Sequence, residues 1–293
     1  MSKTFSLYLM NEKGYKVLSH IIQYIGSEHI EFVVTNDDKN VLKDYYEEIG
    51  DLCKEYKIPM YSRFNYPKSD SKFSFAIGWR WIINTDSQLI VFHDSLLPRY
   101  RGFSPLVNAL VNGEEIVGVT ALNASEEYDE GDIIGQQSMQ VRYPIKIHDA
   151  IKDMSDLYCN LIEDITKRII SGQEITSIKQ DNMQATYSLW RDEKDYQIDW
   201  SNSSHYIKRF IDATGFPFKG AATKIEDQIV RILDVEIIED VIIENRTPGK
   251  IIFMKNGFPV VVCGEGLVKI LSIKDDSTQD ELLPLKKFRV RFE

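Results

Sequence analysis

The stretch LIVFHDSLLPRYRGFSPLVNALVNG, residues 89–113, contains the pattern that decides the fold. Its opening run LIVF is entirely apolar and predicts a buried strand that ends just before His93. A turn at Pro98 follows, and the segment after it has helical spacing that stops at Asn112-Gly113. A strand, a turn and a helix in this order indicate one unit of an α/β protein.

The residues around this stretch repeat the alternation of strand and helix. Helical spacing predicts helices at 14–25, 41–58 and 145–170, and apolar runs predict strands at 5–10, 30–36, 58–63, 73–79 and 116–124. This alternation implies a mainly parallel sheet with right-handed crossovers, in which ligands bind at the carboxyl ends of the strands. No G-x-G-x-x-G follows the first strand, so the sequence does not support a dinucleotide site.

The pattern changes after residue 185. Residues 186–217 are predicted as a polar-aromatic connector with a short helix, for which Ser201–Ser204 supply N-cap candidates. Residues 218–293 contain short strand runs separated by PG, NG and GEG turns, which predict a small antiparallel β-rich subdomain. The sequence therefore predicts an α/β domain over 1–185, the connector, and a β-rich C-terminal subdomain.

Composition restricts the class of protein. The 293 residues are 43% hydrophobic and 27% charged, as in globular proteins, and the net charge of −10 removes the usual electrostatic reason for binding nucleic acid. Three scattered cysteines predict neither a disulfide framework nor a metal site. We find no signal-peptide pattern and no apolar run near the ~18 residues of a membrane helix, so we expect a cytoplasmic protein without membrane contact. A homodimer is left open.

Two polar residues follow predicted strands and are candidates for catalysis. His93 ends one strand, and Asp129 lies in the YDEGD turn after the next, so the two side chains could meet. A carboxylate beside an imidazole fixes its tautomer and suits general base work. A loop histidine that merely bonds a backbone carbonyl is an equally good interpretation. A serine-hydrolase site at Ser95 is disfavoured, because the G-x-S-x-G elbow is absent.

The combined motifs resemble the formyltetrahydrofolate-dependent formyltransferases. The family's His-x-Ser-Leu-Leu-Pro turn occurs in HDSLLPRYRGFSPLVNALVNGE (93–114). Its Gly-Val-Thr strand and Asp-x-Gly-Asp-Ile loop occur in GVTALNASEEYDEGDII (118–134). Residues 198–223 and the PGKII segment at 248–252 are similar to the connector and C-terminal region of methionyl-tRNA and sugar formyltransferases. The resemblance implies a Rossmann-like formyltransferase fold and transfer of a formyl group from N10-formyltetrahydrofolate to an amine.

The resemblance also implies roles for individual residues. His93 would accept or shuttle the amine proton, and Asp129 would orient it. The family pattern is Asn-x-His, in which the Asn helps to hold the formyl oxygen, but this chain has Val91 at that position. A protonated His93 or a loop N–H would then take over, or activity would be impaired. Val91 therefore keeps open the hypothesis of a non-catalytic folate-binding relative.

The remaining pocket residues are implied more loosely. The folate contacts are predicted to be Ile82, Ile83, Ser95, Leu96, Leu97, Pro98, Tyr128 and Asp132. The acceptor contacts are predicted to be Trp79, Arg80, Arg99, Tyr100, Arg101 and Gly102. Core packing is the alternative for the tryptophan and the isoleucines, and surface salt bridges are the alternative for the arginines.

The resemblance leaves a choice of acceptor amine. The acidic chain, and an FAIGWRWII run (75–83) unlike that of the tRNA enzymes, favour a nucleotide-linked amino sugar. A 4-amino-4,6-dideoxy hexose on UDP or dTDP, a precursor of surface glycans, is the predicted substrate. Methionyl-tRNA formyltransferase is the alternative, for which a basic surface would be expected.

Overall fold

A mainly parallel sheet forms the first part of the chain in a computed structural model, which describes residues 5–285 and 287–293. Five helices are present among the described residues: α1 (Asn11–Tyr24), α2 (Tyr46–Glu55), α3 (Pro105–Asn112), α4 (Ile147–Ser171) and α5 (Ser204–Thr214). The strands of the same residues are β1 (Phe5–Leu9), β2 (Ile30–Thr35), β3 (Met60–Ser62), β4 (Phe73–Ile77), β5 (Gln88–His93), β6 (Arg101–Gly102), β7 (Ile116–Asn123), β8 (Ile133–Gln140), β9 (Tyr187–Ser188), β10 (Ala221–Ile225), β11 (Gln228–Ile238), β12 (Ile251–Lys255), β13 (Phe258–Val262) and β14 (Leu267–Asp275).

The seven-stranded sheet has the order β3-β2-β1-β4-β5-β7-β8. Its pairs from β3 to β5 are parallel, whereas β7 and β8 are antiparallel to their neighbours. All residues of β1 and β4 are buried, as expected for central strands covered on both faces. The predicted α/β class with a mainly parallel sheet is therefore confirmed.

Two elements of this sheet region differ from the sequence-based expectation. The edge strand β8 was not predicted, because its sequence IIGQQSMQ is polar and half-exposed rather than apolar. Helix α2 is shorter than the predicted 41–58, because its N-cap residue Tyr45 has a left-handed backbone, with φ of 59°. Lys57, with φ of 56°, ends the helical region on the other side.

The C-terminal region contains a five-stranded antiparallel sheet of order β10-β11-β14-β13-β12, which confirms the predicted β-rich architecture. Its apolar residues include the fully buried Val260 and Leu267. Helix α5 precedes the sheet, and the Ser203 side chain caps it by accepting a 3.2 Å hydrogen bond from the Tyr206 amide. An N-cap among the predicted serines is thus confirmed.

The chain divides into two compact units. The first contains the residues up to Leu106 with Glu115–Val141 and Asp149–Leu189, and the second contains Val107–Glu114, Arg142–His148 and Trp190–Glu293. This division gives the predicted connector no unit of its own. Among the described residues, no helix combines the length and apolar composition that crossing a membrane would require.

Candidate active site

His93 is the last residue of β5 and lies at the carboxyl edge of the parallel strands. Its side chain is 8% exposed, and its Nε2 lies 2.8 Å from the carbonyl oxygen of Tyr100. Since a carbonyl can only accept, Nε2 carries the hydrogen and donates it. Tyr100 can aim its carbonyl this way because its backbone is left-handed, with φ of 60°. The second ring nitrogen, Nδ1, then carries the lone pair of the neutral imidazole.

Asp129 supplies the carboxylate that faces this second nitrogen. Its Oδ1 lies 3.4 Å from His93 Nδ1, and its Oδ2 accepts a 2.8 Å hydrogen bond from the Gly102 amide. The predicted meeting of the two side chains is therefore observed. Nδ1 is therefore the nitrogen available as a general base, with the Tyr100 carbonyl orienting the ring and the Asp129 carboxylate beside the basic nitrogen.

Side chains of Thr120 and Gln136 form hydrogen bonds with the backbone of the turn after His93. The Thr120 hydroxyl donates to the Ser95 carbonyl at 2.6 Å and accepts from the Leu97 amide at 3.1 Å. The Gln136 amide donates to the Leu97 carbonyl at 2.9 Å. Pro98, which follows a cis peptide bond, accepts at its carbonyl from the Thr186 amide. These hydrogen bonds hold the backbone of the predicted Ser95–Pro98 turn in place.

The geometry also argues against Ser95 as a nucleophile. Its hydroxyl donates a 2.7 Å hydrogen bond to the Arg99 carbonyl and not to His93. An activated serine would need its proton directed at a base.

Arg101 does not face an acceptor as predicted, which the structure corrects, and Gly102 makes contacts within the protein. The Arg101 side chain is only 1% exposed, and its guanidinium donates to Glu130, Gln180 and Asn182. The Gly102 amide is occupied by Asp129. A Cβ at Gly102 would lie 2.5 Å from the Ser188 carbonyl oxygen. Arg101 is therefore bonded within the protein instead of facing an acceptor, and contact of Gly102 with an acceptor stays a prediction.

The predicted contacts Trp79, Ile82 and Ile83 lie in different environments, as does Val91. Trp79, Ile83 and Val91 pack against a buried apolar cluster that includes Tyr8, which matches the core-packing alternative. Ile82, by contrast, is 87% exposed. Val91 presents only methyl groups, so this position two residues before His93 offers no hydrogen-bond donor.

The remaining predicted contacts lie at or near the surface. Arg80 forms an ion pair with the buried Asp38, which matches the salt-bridge alternative. Arg99 is exposed, with its guanidinium 5.4 Å from the ring centroid of Tyr100. Tyr128 is 67% exposed, and Asp132 accepts at its carbonyl from the Asn123 amide. Contacts of all these residues with folate or acceptor stay predictions.

Sequence reasoning missed an ion pair formed by Asp94, the residue that follows His93. Asp94 binds the Lys13 ammonium and accepts a 2.5 Å hydrogen bond from the Tyr158 hydroxyl. Burial alone would raise the pKa of the Asp94 carboxyl, but Lys13 and Tyr158 outweigh it and lower that pKa. Burial and the Asp94 charge raise the pKa of Tyr158 well above its ordinary value. The three residues anchor β5 to α1 and α4, and their distance in sequence hides them from pattern reading.

Two family models match this chain. The model Formyl transferase matches residues 72–159, which contain His93 and Asp129, and the model Formyl transferase, C-terminal domain, matches residues 191–281. The chain is 31% identical over 188 residues to a methionyl-tRNA formyltransferase of Clostridium novyi (strain NT), which covers 63% of this chain and 59% of that protein. The alignment thus spans less than two thirds of that relative's own length.

Solved structures share the fold. A sugar 3N-formyl transferase, WlaRD, solved with dTDP and 5-N-formyl-THF, superposes with a TM-score of 0.66 at 17% identity, covering 92% of this chain and 97% of that one. An N-formyltransferase from Helicobacter canadensis, solved with folinic acid and dTDP-3-aminofucose, superposes with a TM-score of 0.64 at 19% identity, covering 92% and 98%. The fold and the two matched segments are those of the formyl transferase family. The chain belongs to the formyl transferase family.

Proposed function

We propose that this protein transfers a formyl group from N10-formyltetrahydrofolate to the amino group of a nucleotide-linked amino sugar. The observation that carries the proposal is the contact between His93 Nδ1 and Asp129 Oδ1, 3.4 Å apart, at the carboxyl edge of the sheet. Both residues belong to the segment that the family model matches.

Two of the predicted folate contacts are accessible to a ligand. Ile82 and Tyr128 are 87% and 67% exposed and offer apolar surface, to which the polar groups of His93 and Asp129 would be added. Such a mixture of apolar walls and a few polar groups is usual for small-molecule sites. When bound, the folate supplies the formyl carbon as the electrophile.

The protein's own part in the reaction is proton management. As the acceptor nitrogen bonds to the formyl carbon, His93 Nδ1 takes its proton, and Asp129 stabilises the resulting imidazolium. His93 then returns the proton to N10 of the departing tetrahydrofolate as the bond between the formyl carbon and N10 breaks. Tyr100 keeps the ring in place throughout, because its carbonyl holds Nε2–H. Val91 cannot donate to the formyl oxygen, so the donor for its developing charge is another group, for which the protonated His93 is the proposed candidate.

The choice of an amino sugar rests on charge and on structural neighbours. A net charge of −10 opposes tight binding of a polyanion such as tRNA. Two structures that share the fold over 92% of this chain were solved with dTDP or a dTDP-linked amino sugar. Within this class we propose a 4-amino-4,6-dideoxy hexose on UDP or dTDP, used in surface glycans. We also propose a cytoplasmic location, which suits the three buried free thiols.

The direct test combines the protein, 10-formyltetrahydrofolate and a panel of UDP- and dTDP-linked amino sugars. Mass spectrometry should detect formylation of at least one sugar, and the same sugar with an acetylated amine serves as a matched control. Absence of product with every amine, despite measurable folate binding, would instead support a non-catalytic folate-binding protein.

Methionyl-tRNA is the second candidate acceptor, favoured by the 31% identity to a protein of that name. Formylation of charged initiator tRNA, with a rate that falls steeply as salt rises, would support it. The two candidates are separated by comparing kcat/KM for both acceptors in one buffer.

A further inference from the structure

Gln180 connects two parts of the site and lies outside both segments that the family models match, 72–159 and 191–281. Its Oε1 accepts from Arg101 Nε at 3.1 Å and from Arg101 Nη2 at 2.8 Å. Its Nε2 donates to the carbonyl of Asp129 at 2.7 Å and to that of Gly131 at 2.8 Å. The amide thus uses both acceptor positions and both hydrogens.

These four contacts require a carboxamide at this position. The guanidinium side offers only donors and the loop side offers only acceptors, so a single side chain must accept on one end and donate on the other. A glutamate would face the two carbonyls with a second oxygen. The segment is also anchored next to the loop, because Ile178 and Ile133 exchange backbone hydrogen bonds of 2.7 and 2.8 Å.

The loop that Gln180 holds has a strained conformation. Asp129 has φ of 59°, a left-handed value that a non-glycine residue adopts only when its surroundings impose it. Gln180 binds the carbonyls on either side of Glu130, and so fixes the backbone from which the Asp129 carboxylate projects. With that backbone fixed, the carboxylate reaches both His93 Nδ1 and the Gly102 amide.

We propose that Gln180 is a positioning residue, which holds the Asp129 carboxylate against His93. Its importance for catalysis depends on the proposed function. The effect of Gln180 on the position of the Asp129 carboxylate can be measured independently of the proposed function. The Gly102 N–H is bonded to Asp129 Oδ2, so its hydrogen exchange reports on that position.

The first experiment measures hydrogen exchange of the Gly102 amide by NMR. Gln180→Ala removes all four contacts, and Gln180→Glu keeps the acceptor for Arg101 while opposing the two carbonyls. Asn182→Ala is the matched control, because Asn182 Oδ1 accepts from the same guanidinium at 2.7 Å without touching the loop. Exchange at Gly102 should accelerate about 10-fold or more in both Gln180 variants and stay near the wild-type rate in the control. Unchanged exchange in the Gln180 variants would overturn the inference.

The second experiment is a double-mutant cycle on formyl transfer, with an acceptor sugar that the mass-spectrometric panel shows to be formylated. Gln180→Ala should lower kcat about 10- to 100-fold with little change in folate affinity. In an Asp129→Asn background the same substitution should cost little more, because its route of action is already gone. Multiplying losses would contradict positioning through Asp129. If the wild type transfers formyl to no amine, the proposed function fails and the exchange at Gly102 still decides the role of Gln180.

Discussion

At the scale of single residues, the imidazole of His93 has a separate partner for each ring nitrogen. Nε2–H is held by the Tyr100 carbonyl, which leaves the basic lone pair on Nδ1 next to Asp129. A histidine that only satisfied a backbone carbonyl would not need the second contact. Both interpretations from the sequence therefore describe part of the geometry, and the catalytic role of His93 stays a prediction.

His93→Ala is expected to lower the rate of formyl transfer about 10²- to 10⁴-fold, the usual contribution of a general base. Circular dichroism and folate binding should stay close to wild type, because His93 is the last residue of β5 and its loss leaves the strand pairing in place. His20→Ala is a control on a different element, since His20 binds Glu163 on the surface of α1 and α4. Near-normal turnover of the His93 variant would refute the assignment.

Val91→Asn is expected to fold and to keep or raise kcat. Val91 packs on the same apolar cluster as Tyr8 and Trp79, whose buried Oη and Nε1 have no hydrogen-bond partner in the part of the chain described. An amide introduced beside them has groups to bond, which limits the cost of burying it. Thermal unfolding and kcat are measured for this variant and for Val91→Ala. Failure of only the Asn variant to fold would show that the pocket has been rebuilt around valine.

At the scale of elements, the active-site loop depends on close backbone contacts that no side chain can enter. A Cβ at Gly131 would lie 1.7 Å from the Asn123 carbonyl oxygen. The Asn123 amide in turn bonds the carbonyl of Asp132, so the loop and the end of β7 are locked together. The loop therefore has little freedom to adjust to a substitution.

Gly131→Ala is expected to lower the free energy of unfolding by about 3 kcal/mol or more, because backbone must move. Gly50→Ala is the matched control: it lies within α2, where its Cβ would approach only Met60 at 3.7 Å, and alanine should stabilise by about 0.5–1 kcal/mol. Urea unfolding measures both. Equal stability of the two variants would show that the loop is not locked as described.

Pattern reading predicted the elements whose apolar residues follow a regular period, and it failed where order comes from polar groups far apart in sequence. The strands β1, β4 and β5 are mostly apolar, whereas the polar edge strand β8 gave no such signal. His93 and Asp129 were predicted because each follows a strand. Arg101 was misplaced because its partners Gln180 and Asn182 come about 80 residues later, and no local pattern marks such a contact.

At the scale of the whole molecule, several carboxyl groups have a lowered pKa in the folded state. They include Asp94, beside Lys13, Glu31, which accepts hydrogen bonds from Ser69 and Ser71, and Asp275, bonded by Ser277 and Thr278. Such groups bind fewer protons when folded than when unfolded. Their stabilisation is complete above the unfolded carboxyl pKa and is lost as pH falls through the folded value.

The free energy of unfolding is therefore expected to decrease steadily as pH falls below about 4. Asp94→Asn should be less stable than wild type at pH 7, and the difference should shrink across that acidic range. Asp51→Asn, on the exposed face of α2, is the control and should follow the wild-type curve. Urea unfolding at several pH values checks this, and a difference for Asp94→Asn that persists unchanged in acid would contradict it.

The pairing of β6 with β9 has a consequence for dissecting the protein. Arg101 and Gly102 receive their strand partners from Tyr187 and Ser188, and the Pro98, Arg101 and Phe103 backbones are bonded by Thr186 and Ser188. The catalytic turn is thus completed by chain that is synthesised long after it. A fragment truncated at the end of α4 would contain His93 and Asp129. It would lack residues 186–188, which bond the backbone of the turn that follows His93. Any fragment that keeps these backbone contacts must therefore extend at least through Ser188.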